Sequence, residues 1–282
     1  MPMTANAFPD GCQDKGTAVP MSKRVVVLAA ARAPELRLAG AEVMILDPGQ
    51  ADTLPPCDVL VLLGDPAAPG DQEDLLRRNI DWVRAAAIAA ARRCPGCVLV
   101  VAARPANVLA FAALRAAGLP RTRVLGVAGL TGSLRLAGLI GGALGVRSVD
   151  VQAAVLGGCG ESLVALPRLW SVGGIPAEEL LSQQDLERLA AEACTASAPE
   201  ELVGAAAELA GALLDGGRRL CTCSVLLDGE YGVQGIFLAV PVVLGPAGLE
   251  RIVQLNLKVE ERMALQKAAA AGRALRANLE VA

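Results

Sequence analysis

Arg135 is the charged residue inside the most apolar stretch of the chain, residues 124–146, and Cys159 sits in the glycine-rich run Leu156-Gly157-Gly158-Cys159-Gly160-Glu161. A guanidinium in apolar surroundings clamps a carboxylate or phosphate through paired N–H donors. A thiol near such a cation gains thiolate character and can attack a carbonyl. Each residue also has a plainer reading. Arg135 can pair with a buried acid such as Glu161, and both readings stay open for it. For Cys159 the plainer reading is favoured, a small residue filling space, because the chain contains no histidine to act as its base.

Two cysteine pairs, Cys94-Pro95-Gly96-Cys97 and Cys221-Thr222-Cys223, would together supply four thiolates for a structural zinc. The first pair spans a helix-to-strand turn and the second lies on one face of a strand far along the chain. Reduced, partly buried cysteines are the favoured reading, with no metal. Glu73 and Asp74 with Arg77 and Arg78 lie at helical spacing and read as a solvated face.

With 282 residues and 54% hydrophobic composition, the chain can bury a substantial core. Aromatic residues make up only 2%, so Ala, Val and Leu must fill that core, and platforms for stacking bases are scarce. A net charge of −3 gives no basic footprint, which argues against nucleic acid as a partner. The apolar stretch 124–146 contains seven glycines and Arg135 at its centre. A mid-bilayer charge costs roughly 2.5–3.5 kcal/mol on insertion scales, so a buried strand-turn-helix is expected in place of a membrane span. Residues 1–22 lack the basic start and apolar core of a secretory signal and read as a flexible leader of a soluble, cytoplasmic protein.

The elements that must position these groups follow from hydrophobic spacing. Continuous β-branched runs at 24–31, 42–46, 58–63 and 97–102 predict parallel strands covered on both faces. Apolar residues at helical spacing predict helices over 72–93 and 107–117, and a short strand follows at 123–126. Strand and helix in alternation make this first part, residues 23–126, a parallel doubly wound sheet. The remainder, 127–282, reads as an α+β lobe. Helices are expected at 133–144, 176–193, 199–214 and 260–278, with an extended run at 151–156. An antiparallel hairpin is expected from 220–227 and 235–244, turned at Asp228-Gly229.

Between Gly64 and Lys267 several motifs follow one another in an order that resembles the lactate/malate dehydrogenase family, most closely its malate-type branch. They are Gly64-Asp65-Pro66-Ala67-Ala68-Pro69-Gly70, Gly118-Leu119-Pro120, Val155-Leu156-Gly157-Gly158, Val172-Gly173-Gly174-Ile175-Pro176, Gly229-Glu230-Tyr231-Gly232 and Val240-Pro241-Val242-Val243-Leu244-Gly245. The resemblance implies an α/β fold: a Rossmann-like parallel sheet, here truncated, followed by a lactate/malate dehydrogenase C-terminal-type α+β domain.

It also implies a site, and there the chain departs from the pattern. Cys159 stands where the family has its proton-carrying histidine. Gly132 stands in place of the aspartate that orients that histidine, although Arg135 of the same motif is kept as a carboxylate clamp. Ala67 and Ala68 replace a mobile-loop arginine, and Arg104 replaces a substrate-binding asparagine. Ala29, Ala31 and Pro34 occupy the glycine positions of the dinucleotide loop, where added β-carbons and a missing N–H hinder approach to a pyrophosphate. Asp47 matches the ribose-binding acid but is favoured as an ordinary turn or cap residue. Only ten residues separate Asp47 from Asp58, where the family inserts a helix and a strand. The expectation is therefore a pseudoenzyme with no cofactor, NAD binding having been lost. It would serve as a structural or regulatory subunit with itself, an active relative or another protein complex as partner. An oxidoreductase of altered chemistry on a small 2-hydroxy or 2-oxo acid, or an anion sensor using Arg135, are the alternatives.

Overall fold

Strands whose every residue is buried need cover on both faces, and the Val/Leu runs of this chain obtain it. A computed structural model describes residues 23–30, 38, 40–65, 68–158, 162–194 and 199–280. The leader, 1–22, lies outside them. Strands β1 (Arg24–Ala29), β2 (Glu42–Leu46), β3 (Val59–Leu63), β4 (Val98–Ala102) and β5 (Val124–Gly126) pair in parallel in the order β2-β1-β3-β4-β5. Successive side chains point to opposite faces. Val25, Val27, Val59, Val61 and Val100 enter one core, and Val26, Leu28, Leu60, Leu62 and Leu99 the other.

Helix α1 (Gln72–Arg93) starts where the Asp71 carboxylate accepts the N–H groups of Glu73 and Asp74 at 2.9 and 3.0 Å. Helix α2 (Ala106–Ala117) ends at Gly118, whose φ of +64° is the left-handed cap that glycine adopts without strain. Both helices cover the second core. Next come α3 (Leu130–Leu144), α4 (Gln183–Ala193) and α5 (Pro199–Leu214). Leu202, Leu209 and Leu213 of α5 cover the first core, so a helix from the second half of the chain roofs the parallel sheet.

The antiparallel part is not a separate layer. Strand β11 (Arg219–Asp228) joins the sheet at β5 through Ser224 opposite Gly126, and β12 (Gln234–Gly245) pairs β11 along its length. The sheet runs on through β7 (Val155–Gly157) to β8 (Leu163–Ala165). Behind Gly126, the buried Ser224 hydroxyl donates to Asn107 Oδ1 at 2.5 Å and tethers α2 to the junction. The final helix, α6 (Val259–Glu280), packs Leu265, Ala268 and Ala269 into the first core.

Three elements differ from expectation. The extended run at 151–156 is split: β6 (Val151–Gln152) joins a small sheet with β9 (Ser171–Val172) and β10 (Ile175–Pro176), while β7 belongs to the large one. The helix expected from residue 176 begins only after Ser182, whose hydroxyl accepts the Asp185 N–H at 3.1 Å, because Pro176 is extended in β10 opposite Ser171. A further strand, β13 (Gly248–Ile252), follows β12. No helix among the described residues is long and apolar enough to cross a membrane.

Candidate functional site

Parallel strands in register bring their carboxyl ends to one edge, and the chain leaves β1 for β2 on one side and returns as β3 on the other. A crevice outside the strand ends at such a reversal is where open α/β sheets bind ligands. Ala29, buried, ends β1, and the chain stays in register one residue further, with Ala30 N–H donating to Leu63 O at 2.9 Å. Ala31 and Pro34 lie outside the described residues, as does Ala67.

Asp47 ends β2 and caps a 3-10 turn over Pro48–Thr53. Its N–H donates to Gln50 Oε1 at 3.0 Å while its carbonyl accepts the Gln50 N–H at 2.9 Å. That turn leads straight into β3, so β2 is the outermost parallel strand among the described residues. The carboxylate of Asp47 at the strand end is chemically suited to accept ribose hydroxyls, and in that respect the residues fit one end of a dinucleotide. The diphosphate end falls to residues 31–37, which are not described.

On the far side of the crevice, the end of β3 and the segment after β4 meet closely: a β-carbon on Gly64 would lie 2.8 Å from Ala103 Cβ. Asn79 of α1 ties this corner together, donating to Arg104 O at 3.0 Å and accepting from Trp82 Nε1 at 3.0 Å. Arg104 donates from Nη2 to Ala68 O at 3.0 Å and so fastens the loop that follows β3. The cation at this position thus binds the protein's own backbone.

Residues 130–135 open α3 immediately after β5. Arg135 lies on the second turn, its side chain 19% exposed, with Nη1 3.7 Å from Glu201 Oε2 of α5 and Nε donating to Glu192 O at 3.1 Å. The acid expected beside it was Glu161, which is outside the described residues; the acid the fold supplies is Glu201, 66 positions along from Arg135. Sequence reasoning had no signal for it, since only the packing of α5 against α3 makes the pair.

Gly132, one turn earlier, faces the β7–β8 hairpin. A β-carbon there would lie 3.0 Å from Leu163 Cδ1 and 3.7 Å from Val155 Cβ. A carboxylate introduced at this position would lie against these apolar side chains and be desolvated there. The hairpin itself needs glycine: Gly157 has φ +96°, and a β-carbon on it would collide with Ser162 O. Gly158 N–H donates to Ser162 O at 2.9 Å and closes the turn; Cys159 lies outside the described residues.

The two cysteine pairs are not brought together. Cys94 and Cys97 are in the core under α1 and α2, whereas Cys223 is in the core on the other face of the sheet, with Cys221 packed against it. Sequence reasoning missed a third thiol beside the first pair: Cys57 Sγ is 3.7 Å from Cys94 Sγ.

A family profile described as lactate/malate dehydrogenase, alpha/beta C-terminal domain, matches residues 132–281. Malate dehydrogenase 1 of Anaeromyxobacter dehalogenans is 36% identical over 220 residues, covering 74% of this chain and 70% of that protein. The malate dehydrogenase of Salinibacter ruber is 33% identical over 223 residues, covering 74% of this chain and 70% of its own. Among solved structures, malate dehydrogenase from Salinibacter ruber superposes with a TM-score of 0.79 at 27% identity, over 93% of this chain and 90% of that one. The Cryptosporidium parvum lactate dehydrogenase complexed with lactic acid and NAD shares the fold, with a TM-score of 0.81 at 22% identity over 93% of this chain and 99% of that one. These findings correct the expectation that there is no cofactor and that NAD binding has been lost. Over most of its length the chain's relatives are malate dehydrogenases, and departures in the glycine loop and the short 48–57 connection do not by themselves show that coenzyme binding is lost.

Proposed function

Because the chain belongs to the lactate/malate dehydrogenase family, we propose that it is a malate dehydrogenase-like subunit that keeps the dinucleotide crevice but does not run a histidine-borne proton relay. It acts as a structural or regulatory member of a homo- or hetero-oligomer. NAD, when bound, supplies hydride acceptance. On the protein's side, Asp47 is placed to accept ribose hydroxyls, and Arg135 carries the only matching cation of the family's carboxylate clamp.

The observation that carries this reading is Gly132 against Leu163. Catalysis by proton transfer needs a base held in one tautomer by an ionised orienter. With apolar side chains filling the orienter's place and no histidine in the chain, neither member of the relay is available. A role in assembly is supported by Val259 and Met263, one turn apart at the start of α6, which are 70% and 67% exposed.

The test combines calorimetry, turnover and native mass measurement on the full chain. Saturable NADH binding, no oxidation of NADH by oxaloacetate and a mass above one subunit are expected. Oxaloacetate reduction at an ordinary dehydrogenase rate, or a strictly monomeric protein at micromolar concentration, overturns the reading.

A further inference from the structure

Cys57, Cys94 and Cys97 come from three different places and meet at the end of α1, away from the crevice described above. Cys57 ends the connection into β3, Cys94 caps α1, and Cys97 precedes β4. The pairing of β3 with β4, Val59 opposite Val98, brings Cys57 and Cys97 alongside. The connection is already held down on both sides. Arg93 Nε donates to Leu54 O at 2.9 Å, and the Cys94 thiol donates to Pro55 O at 3.3 Å. Cys94 and Cys97 are buried, whereas Cys57 is half-buried and is the one solvent reaches. Thiols this close together, one of them reached by solvent, can undergo sulfur oxidation.

We propose that this three-thiol cluster is a peroxide-reactive modification site, in which Cys57 is oxidised first and Cys94 resolves it into a Cys57–Cys94 disulfide. The Cys57 thiol donates to the Cys94 sulfur at 3.7 Å. The neighbouring Cys57 thiol draws the Cys97 thiol below its ordinary range against the effect of burial, with the Arg123 guanidinium acting in the same direction. The neighbouring Cys97 thiol, with burial, pushes the Cys57 thiol up, so its proton leaves only as Cys57 reacts. In the first step a Cys57 S–O bond forms and the peroxide O–O bond breaks. The departing hydroxide takes up the Cys57 proton and leaves as water. In the second step the Cys94 sulfur attacks the Cys57 sulfur. The S–S bond forms, the S–O bond breaks, and the hydroxyl leaves with the Cys94 proton as a second water. Two thiols lose two electrons to one peroxide. The starting sulfur separation of 3.7 Å exceeds a disulfide bond of about 2.05 Å by an amount that rotation of the Cys57 side chain in its irregular segment can close.

The experiment treats the full-length folded chain with hydrogen peroxide, alkylates the remaining thiols and maps the peptides by mass. The expected result is a single Cys57–Cys94 link, reversed by dithiothreitol and formed at least tenfold more slowly when the chain is unfolded in urea. In Cys94→Ser, dimedone should label Cys57 as a trapped sulfenic acid, and Cys97→Ser should leave the Cys57–Cys94 link unchanged. The wild-type map stands even if a variant fails to fold. Complete alkylation of all three native thiols after peroxide treatment overturns the proposal. So does a link that forms as fast in the unfolded chain, or a dominant link to a cysteine outside the cluster. None of these readouts depends on coenzyme or substrate, so they are independent of the proposed function.

Discussion

Leu163 Cδ1 lies 3.0 Å from the point where a side chain on Gly132 would begin. An aspartate placed there must desolvate its carboxylate against Leu163 and Val155, and Gly132→Asp is expected to destabilise the protein by about 2–4 kcal/mol. Urea denaturation measures this as a lower midpoint. Adding Cys159→His to that variant should not restore oxaloacetate reduction, whereas adding Leu163→Ala should recover part of the lost stability.

The ion pair of Arg135 with Glu201 makes a prediction about ligands. A partner carboxylate within 4 Å competes with any anion for the same guanidinium. Glu201→Gln is expected to increase thermal stabilisation by millimolar oxaloacetate, and Arg135→Ala to abolish it. Equal stabilisation of all three proteins would mean that the anion binds elsewhere.

Arg168 and Glu261 set a pH dependence. Two hydrogen bonds, Nε to Oε1 at 2.7 Å and Nη2 to Oε2 at 2.9 Å, hold the Glu261 carboxyl below its ordinary range, with further help from the Lys258 N–H. A depressed folded-state pKa stabilises the protein above the unfolded carboxylate pKa of about 4.3, and that contribution is lost as pH falls through the folded value. Arg168→Ala should therefore cost about 1 kcal/mol at neutral pH and progressively less below about pH 4, read from denaturation midpoints across the range.

Removing the amide of Asn107 tests the junction between the parallel and antiparallel strands. Asn107→Ala leaves the fully buried Ser224 hydroxyl without its nearest acceptor and opens a small void, with an expected loss of about 2–3 kcal/mol. The double variant Asn107→Ala with Ser224→Ala should lose less than the sum of the two single changes.

Local chemistry made some of these elements readable from the residues alone. The helix over 72–93 begins and ends where the spacing predicts, because Asp71 caps its start and Cys94-Pro95-Gly96 cannot continue it. Pro199–Leu214 and the β11–β12 hairpin are likewise set by their own apolar pattern and turn residues. Pro176 misled because proline suits both a first helical turn and an extended edge, and its pairing with Ser171 decided the matter. The contacts that matter most at the candidate sites were not legible. Glu201 reaches Arg135, and Cys57 reaches Cys94, only once helices and strands distant in sequence have packed. No periodicity encodes such meetings. The coenzyme expectation erred for a related reason: departures in one loop and the short 48–57 connection were given more weight than the likeness of most of the chain to malate dehydrogenases.

The short passage from Asp47 to Asp58 leaves Glu42–Leu46 as the border of the parallel sheet, while its neighbour Arg24–Ala29 keeps a core of fully enclosed valines. A sheet can shed members from its rim without altering the register of those that remain, since each strand's pairing depends only on the strands beside it. A shorter margin is thus a change the architecture tolerates, and among the described residues it leaves Met44 and Ile45 on a strand with no neighbour on its outer side.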